Sequence, residues 1–168
     1  GKKNDKLIGS SHDDMFVYSA GKDVINGFGS GDSISLADNF SLSGAKITAS
    51  KKSIKFKFDN KNTLAVKANK DEELTGTLNI DKTNYTYSKN AIGNGEMVSL
   101  TSQFGGSFKT KDTNFKTVDG HLVKKNLTFK GTDAAETLIG GGEANKKTMF
   151  KGGGGADSLV GGLSKDTF

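Results

Sequence analysis

The sequence predicts an all-β protein in which short parallel coils at both ends of the chain flank a β-rich spacer. Three observations support this fold class: a nine-residue repeat near each end, alternating apolar and polar residues between the ends, and abundant glycine. The chain has 168 residues, of which 23 are glycine and 11 are phenylalanine. Because disordered segments lack so many large apolar residues, we expect the chain to fold.

The repeat near the start of the chain places an acidic and an apolar residue at a spacing of nine. The aspartates are Asp5, Asp14, Asp23 and Asp32, and the apolar residues that follow two positions later are Leu7, Phe16, Ile25 and Ile34. A helix has a period of 3.6 residues and a strand a period of 2, so neither explains this spacing. The region 1–36 is therefore predicted to form repeated turn-and-strand units.

The same pattern returns near the end, in residues 131–168. The segment 152–160, GGGGADSLV, fits the nonapeptide G-G-x-G-x-D-x-U-x, where U is a large apolar residue, at every specified position. In 131–139 Glu136 stands at the aspartate position, and 161–168 supplies Asp166. Residues 140–151 are interpreted as a repeat with a three-residue insertion and Asn145 at the ligand position.

The composition of the nonapeptide explains its length. Six glycine-rich residues can form a tight turn with positive φ angles, and the next three can form a short strand whose apolar side chain points inward. Two nonapeptides then complete one coil, so turns of alternate repeats stack at about 4.8 Å. Carbonyl and carboxylate oxygens converge between stacked turns, and such a flexible set of hard oxygen ligands suits Ca²⁺ better than Mg²⁺ or zinc.

These residues resemble the repeat-in-toxin (RTX), or hemolysin-type calcium-binding, family. The resemblance implies a parallel β-roll, a form of β-solenoid, with calcium-binding rungs at both ends of the chain. It extends over 1–36 and 131–168, although Lys2, Lys3 and His12 stand at turn positions where the family favours glycine.

The resemblance also implies a ligand set, when it is carried over repeat by repeat. Side chains from alternate turns form the pairs Asp5 with Asp23, Asp14 with Asp32, Glu136 with Asp157, and Asn145 with Asp166. The expected backbone carbonyl ligands are those of Gly9, Ser11, Gly27, Gly29, Gly152 and Gly154.

The spacer, residues 37–130, does not follow the nonapeptide. Alternating apolar and polar residues predict strands near 46–49, 54–58, 64–68, 77–80, 85–87, 97–100, 108–110 and 127–129. This alternation fits either a small antiparallel sandwich or coils of irregular length that continue the roll. Residues 69–74 hint at a short helical turn, and the acidic run 71–73 is interpreted as a charged turn.

Several functional classes are disfavoured by composition. The chain has neither cysteine nor a G-x-S-x-G motif, and His12 and His121 are far apart, so we assign no catalytic residues. Its 24 basic residues are all lysine and are scattered, which disfavours nucleic-acid binding despite the formal charge of +5. No apolar stretch approaches the roughly 18 to 20 residues of a membrane span.

A longer repeat predicts how the module is used. Residues 5–16, DKLIGSSHDDMF, align with 157–168, DSLVGGLSKDTF, so the sequence is interpreted as one period of a tandem array. The resemblance then implies an extracellular bacterial protein, secreted by a type I system or attached to the cell surface. We expect a non-catalytic module that folds on calcium binding and self-associates head to tail. The alternative is an adhesin whose spacer binds carbohydrate or a host surface.

Overall fold

The computed structural model describes residues 1, 3–69, 73–74, 77–113 and 115–168. These residues form two compact units, Gly1–Lys89 and Asn90–Phe168. The boundary between the units falls within the predicted spacer, and the division into 1–36, 37–130 and 131–168 stays a prediction. The predicted helical turn at 69–74 and the acidic run 71–73 include residues outside the described ranges.

The regular structure of both units is almost entirely strand. The strands of the first unit are β1 Lys6–Ile8, β2 Met15–Tyr18, β3 Lys22–Asn26, β4 Ser33–Leu36, β5 Lys46–Ala49, β6 Ser53–Lys57, β7 Thr63–Lys67, β8 Thr77–Ile80 and β9 Thr83–Ser88. Those of the second unit are β10 Ala91–Asn94, β11 Met97–Leu100, β12 Gly106–Lys109, β13 Thr117–Asp119, β14 Leu127–Lys130, β15 Thr137–Ile139, β16 Lys147–Lys151, β17 Ser158–Val160 and β18 Lys165–Thr167. Two single-turn 3₁₀ helices lie at Leu42–Gly44 and Thr110–Asp112. No helix in the described part of the chain is long and apolar enough to cross a membrane.

The first unit contains parallel coils built from two repeats each. Strand β1 pairs in parallel with β3, which places Leu7 opposite Ile25, and β2 pairs in parallel with β4, which places Phe16 opposite Ile34. Each partner is 18 residues further along the chain, the length of two nonapeptides. The predicted coil is therefore confirmed.

The second unit continues this principle with strands from the spacer. One parallel series is β11, β13, β15 and β17, and the other is β12, β14, β16 and β18. Consecutive strands thus alternate between two sheets, as a β-solenoid requires. The all-β, parallel β-roll class predicted from the sequence is confirmed.

The two descriptions left open for the spacer are resolved in favour of coils of irregular length. Strand β7 pairs in parallel with β3, and β8 pairs in parallel with β4, so the spacer adds further rungs to the N-terminal coils. The antiparallel pairs are local: β5 with β6, β6 with β7, β8 with β9, and β10 with β11. The spacer is thus a roll interrupted by hairpins.

The apolar position of the nonapeptide fills the interior of the coils. Ile25, Ile34 and Leu138 are at most 1% exposed, and Phe16 is buried as well. Spacer strands contribute in the same way, with Phe56 and Phe129 fully buried. Since inward apolar residues recur in the strands of both repeats and spacer, burial of apolar surface links the rungs of each unit.

Candidate calcium-binding turns

The glycine-rich turns at the two ends of the chain lie in pairs, because the strands that follow them are paired. Turn pair A comprises residues 1–5 and 19–23, and turn pair B comprises 9–14 and 27–32. Turn pair C comprises 131–136 and 152–157, and turn pair D comprises 140–148 and 161–166. Lys2 of pair A is outside the described residues.

In pairs A and B the carboxylate of the later turn accepts a hydrogen bond from the backbone of the earlier turn. The backbone N–H of Asp5 donates to Oδ1 of Asp23 at 2.9 Å, and that of Asp14 donates to Oδ1 of Asp32 at 2.8 Å. The second oxygen of Asp32 accepts the N–H of Gly29 at 2.8 Å. The predicted partners Asp5 with Asp23 and Asp14 with Asp32 are thus brought together.

Pair C repeats this geometry with a glutamate in one turn. The N–H of Glu136 donates to Oδ1 of Asp157 at 3.1 Å, as the N–H groups of Asp5 and Asp14 do in pairs A and B. Oε1 of Glu136 accepts the N–H of Thr132 and the hydroxyl of Thr110, each at 3.0 Å, and it also accepts the Thr132 hydroxyl. Burial acts to raise the pKa of Glu136, but the hydrogen bonds from Thr132 and Thr110 outweigh it and hold the pKa below its ordinary value. Glu136 is therefore kept as a carboxylate.

Pair D differs from the sequence prediction in its register. Strands β16 and β18 pair so that Thr148, and not Asn145, lies opposite Asp166. Asn145 lies in an exposed turn three residues earlier. The three inserted residues therefore precede the aspartate position of this repeat. Thr148, and not Asn145, occupies that position.

The paired turns approach so closely that only glycine fits at several contacts. A Cβ atom on Gly9 would collide with the carbonyl oxygen of Gly27, and one on Gly131 would collide with that of Gly152. Gly153 has a φ of +99°, and a Cβ there would collide with the carbonyl of Thr132. The glycines are therefore needed to bring backbone oxygens of two turns together.

Most of the predicted carbonyl ligands are free for an ion. Within the described ranges, the carbonyl oxygens of Gly9, Ser11, Gly27, Gly152 and Gly154 accept no hydrogen bond from the protein. The carbonyl of Gly29 accepts the N–H of Asp32 at 3.3 Å. Backbone carbonyls turned away from the protein's own donors are typical ligands of Ca²⁺.

Three of the carboxylates of these pairs are also buried without a counter-ion. Asp23, Asp32 and Glu136 are 2%, 3% and 5% exposed. Among the described residues, no ammonium or imidazolium group lies within ion-pairing distance of any of the three. Because burial of unpaired charge is costly, carboxylates so placed favour a bound cation.

The donor set consists of carbonyls and at most two predicted carboxylates per pair. The described residues accordingly contain no cluster of three or more histidine, cysteine, aspartate or glutamate side chains that could hold a metal. Zinc prefers nitrogen and sulfur ligands, whereas an oxygen set rich in carbonyls fits calcium. Pairs B and C therefore fit calcium, with ligands supplied by the residues already named, whereas in pair A the carbonyls of Gly1 and Gly21 already accept hydrogen bonds from the protein.

Two acidic residues near these turns were missed by the sequence prediction. A Cβ atom on Gly154 would lie 2.9 Å from Oδ1 of Asp133, and one on Gly31 would collide with the carboxylate of Asp13. Both aspartates therefore contact the facing turn of their pair. The sequence signal for both is an aspartate within the turn that does not stand at the sixth position of the nonapeptide.

Taken together, the parallel strands, stacked glycine turns and recurring carboxylates define a β-roll of the calcium-binding type. The model of the RTX calcium-binding nonapeptide repeat matches the chain in four copies, at residues 1–25 and 149–168. The chain thus carries RTX repeats, which are calcium-binding motifs, and the resemblance stated from the sequence is confirmed. Comparison with curated proteins and with solved structures gives no significant match.

Proposed function

We propose that the chain is a non-catalytic structural module of a secreted or cell-surface bacterial protein, in which calcium binding is coupled to folding. One observation carries the proposal: turn pairs B and C bring unused backbone carbonyls and carboxylates together between stacked turns. The RTX repeat is a structural calcium-binding repeat, and proteins that contain it are typically secreted by bacteria. In the low calcium of the cytoplasm, unneutralised carboxylates and glycine entropy would oppose coil formation, and calcium outside the cell would favour it.

The proposed ligands in pair C are Glu136, Asp157 and the carbonyls of Gly152 and Gly154. Pair B uses Asp14 and Asp32 in the same manner. Bound calcium would neutralise the carboxylates and tie the two turns of each pair together. We expect a dissociation constant on the order of 10⁻⁴ to 10⁻³ M, as in other extracellular modules.

The test is a calcium titration of the Asp157→Asn variant by isothermal calorimetry. We expect this variant to bind one ion fewer than the wild type, because the amide supplies one neutral oxygen in place of a carboxylate. Asp38→Asn is the matched control, since Asp38 is exposed and lies outside the stacked turns. Unchanged stoichiometry in Asp157→Asn, or no calcium binding by the wild type, would contradict the proposal.

The proposal includes head-to-tail association of modules. Within the described residues, β17 and β18 are edge strands of the second unit, and β1 and β2 are edge strands of the first. Exposed apolar residues accompany these edges, with Phe168 67% exposed and Ile8 73% exposed. Edge strands with apolar side chains can pair with another chain. Sedimentation velocity with calcium should show concentration-dependent oligomers, and a strictly monomeric protein would contradict this part of the proposal.

A second candidate function is carbohydrate recognition, and a groove in the first unit favours it. The groove has a volume of about 410 Å³. Its lining combines apolar, hydroxyl, amide and charged groups: Met15, Ser33, Ile34, Ser35, Asn79, Asp81 and Lys82. Asp81 and Lys82 have φ angles of 48° and 64°, a conformation that side chains other than glycine adopt at some cost. Glycan-array binding that is lost in Asp81→Ala would support this function, and an array without signal would contradict it.

A further inference from the structure

Turn pair D carries the repeat pattern but does not offer the donor set found in pair C. The position opposite Asp166 is occupied by Thr148, a neutral hydroxyl that is 1% exposed. The carbonyl of Gly141 in this pair accepts the N–H groups of Leu163 and Ser164, at 3.0 and 3.2 Å. A second carboxylate is therefore missing, and a backbone oxygen between the turns is already used.

A directed chain of hydrogen bonds connects the two turns of pair D. The N–H of Gly141 donates to Oγ1 of Thr148 at 3.1 Å, and Oγ1 of Thr148 lies 2.6 Å from Oγ of Ser164. The hydroxyl of Ser164 donates to Oδ1 of Asp166 at 2.7 Å. Because Ser164 has one hydroxyl proton and uses it on Asp166, Thr148 must donate to Ser164.

The remaining oxygen of Asp166 is also used. Oδ2 of Asp166 accepts the N–H of Gly162 at 3.0 Å. A Cβ atom on Gly162 would collide with the carbonyl of Gly141, so these turns are as close as those of pair C. Both oxygens of the Asp166 carboxylate thus have donors from the protein, as those of Asp32 do in pair B, but the position that faces Asp166 is the hydroxyl of Thr148, where Asp14 faces Asp32.

We infer that pair D is an ion-free latch, in which the chain Gly141–Thr148–Ser164–Asp166 replaces the calcium ion proposed for pairs B and C. This inference rests on the proposed function, in which turn pairs B and C bind calcium. The latch joins the two turns whether or not calcium is present. It therefore keeps one rung of the second unit closed beside pair C, and reduces the number of loose turns that calcium has to order there.

The first test compares two substitutions at the same position of adjacent repeats. Asp157→Asn should lower the calcium stoichiometry by one ion, whereas Asp166→Asn should leave it equal to that of the wild type. A loss of one ion in Asp166→Asn would overturn the latch, because the aspartate would then be a calcium ligand. Unchanged stoichiometry in Asp157→Asn would contradict the proposed function of pair C and leave the latch standing.

The second test uses Thr148→Val, which keeps the shape of the side chain and removes the hydroxyl. The latch predicts a lower melting temperature with calcium and with chelator, by a similar shift in both, together with faster amide exchange of Gly141. If calcium abolishes the shift, or if neither the melting temperature nor the exchange changes, the latch is wrong. Thr137→Val in β15, the preceding strand of the chain, controls for the general effect of a threonine-to-valine change in a strand.

Discussion

At the scale of single residues, glycine decides whether two turns can share an ion. Gly131 shows this most clearly, because a Cβ atom there would collide with the backbone carbonyl of Gly152 and lie 2.8 Å from Oε2 of Glu136. Because the carbonyl of Gly152 is part of the backbone, the backbone itself would have to move to relieve the collision. The requirement is steric and does not depend on a positive φ angle.

We therefore predict that Gly131→Ala lowers the free energy of unfolding by about 1–3 kcal/mol, the usual cost of overpacking. Gly44→Ala is the control, since a Cβ atom at Gly44 would meet nothing within 4 Å. The control should stay within about 0.5 kcal/mol of the wild type. Urea unfolding in the presence of calcium measures both, and equal stabilities of the two variants would contradict the predicted contact.

A second residue-scale feature is the carboxylate that organises the turn between β6 and β7. Asp59 accepts the side-chain N–H of Asn62 at 2.7 Å and the backbone N–H groups of Lys61 and Asn62 at 2.6 and 2.8 Å. The hydrogen bond from the Asn62 side chain, followed by that from the Lys61 backbone, lowers the pKa of Asp59 below its ordinary value of 3.8. The ionised form is thus the one that the turn favours.

The sign of the resulting pH dependence follows from this lowered pKa. The stabilisation by Asp59 is present above the pKa of the unfolded chain and is lost as the pH falls through the pKa of the folded protein. We predict that the difference in melting temperature between wild type and Asp59→Asn shrinks as the pH falls from above the ordinary value of 3.8 to below it, because only the wild type has this group to protonate. A difference in melting temperature that stays constant across this range would contradict the assignment.

At the scale of elements, inward apolar residues in successive rungs hold the coils together. Phe129 of β14 is fully buried, and its ring centroid lies 5.5 Å from that of Phe150 in β16. Met149 lies between the inward positions of β16 and is 42% exposed. The alternation of buried and exposed residues is the period-2 pattern of a strand with one face in the core.

Phe129→Ala should accordingly lower the free energy of unfolding by about 3–5 kcal/mol, as is usual for a buried phenylalanine. Met149→Ala, at an exposed position of the adjacent strand, should cost less than about 1 kcal/mol. Denaturant unfolding of the two variants under the same calcium concentration makes the comparison. Similar losses in both variants would show that the rungs do not share the interior described above.

The elements also show which parts of the fold the sequence could predict. The pairs Leu7 with Ile25 and Phe16 with Ile34 follow from a spacing of nine and the requirement that apolar side chains share one interior. The exact bounds of β5 and β8 follow from alternation. Strands β10 and β13 were missed, because Ala91–Asn94 has only one large apolar residue, Ile92, and Thr117–Asp119 is very short.

The ligand pairs of the candidate site could be predicted from the sequence only where the pairing of the repeats could be predicted. Asp14 and Asp32 were found because nothing interrupts the repeats between them. The partner of Asp166 was not, because an insertion of three residues can be placed at several points of the turn. In the observed register Thr148 and not Asn145 lies opposite Asp166, and the ring of Phe150 stacks on that of Phe168 with centroids 4.8 Å apart, a tertiary contact that the spacing of the repeats does not reveal.

At the scale of the whole molecule, calcium acts as a ligand of the folded state. We predict that calcium at about 100 times its dissociation constant stabilises the fold by about 2.7 kcal/mol per site, which corresponds to a rise in melting temperature of about 5–10 °C. Magnesium at the same concentration should have a much smaller effect, because its strict octahedral geometry does not suit turns of this kind. Thermal unfolding with calcium, magnesium and chelator tests this, and equal shifts with the two metals would contradict it.

The hairpin formed by β5 and β6 has a consequence for how such proteins diversify. Strand β7 keeps its parallel pairing with β3, with Lys22 opposite Thr63, although a whole hairpin lies between β4 and β7. The coil thus absorbs a change of length without losing the alignment of its strands. Hairpins at such positions can therefore be lengthened or exchanged between modules during evolution while the parallel coil is kept. The hairpins and the coil can then evolve independently.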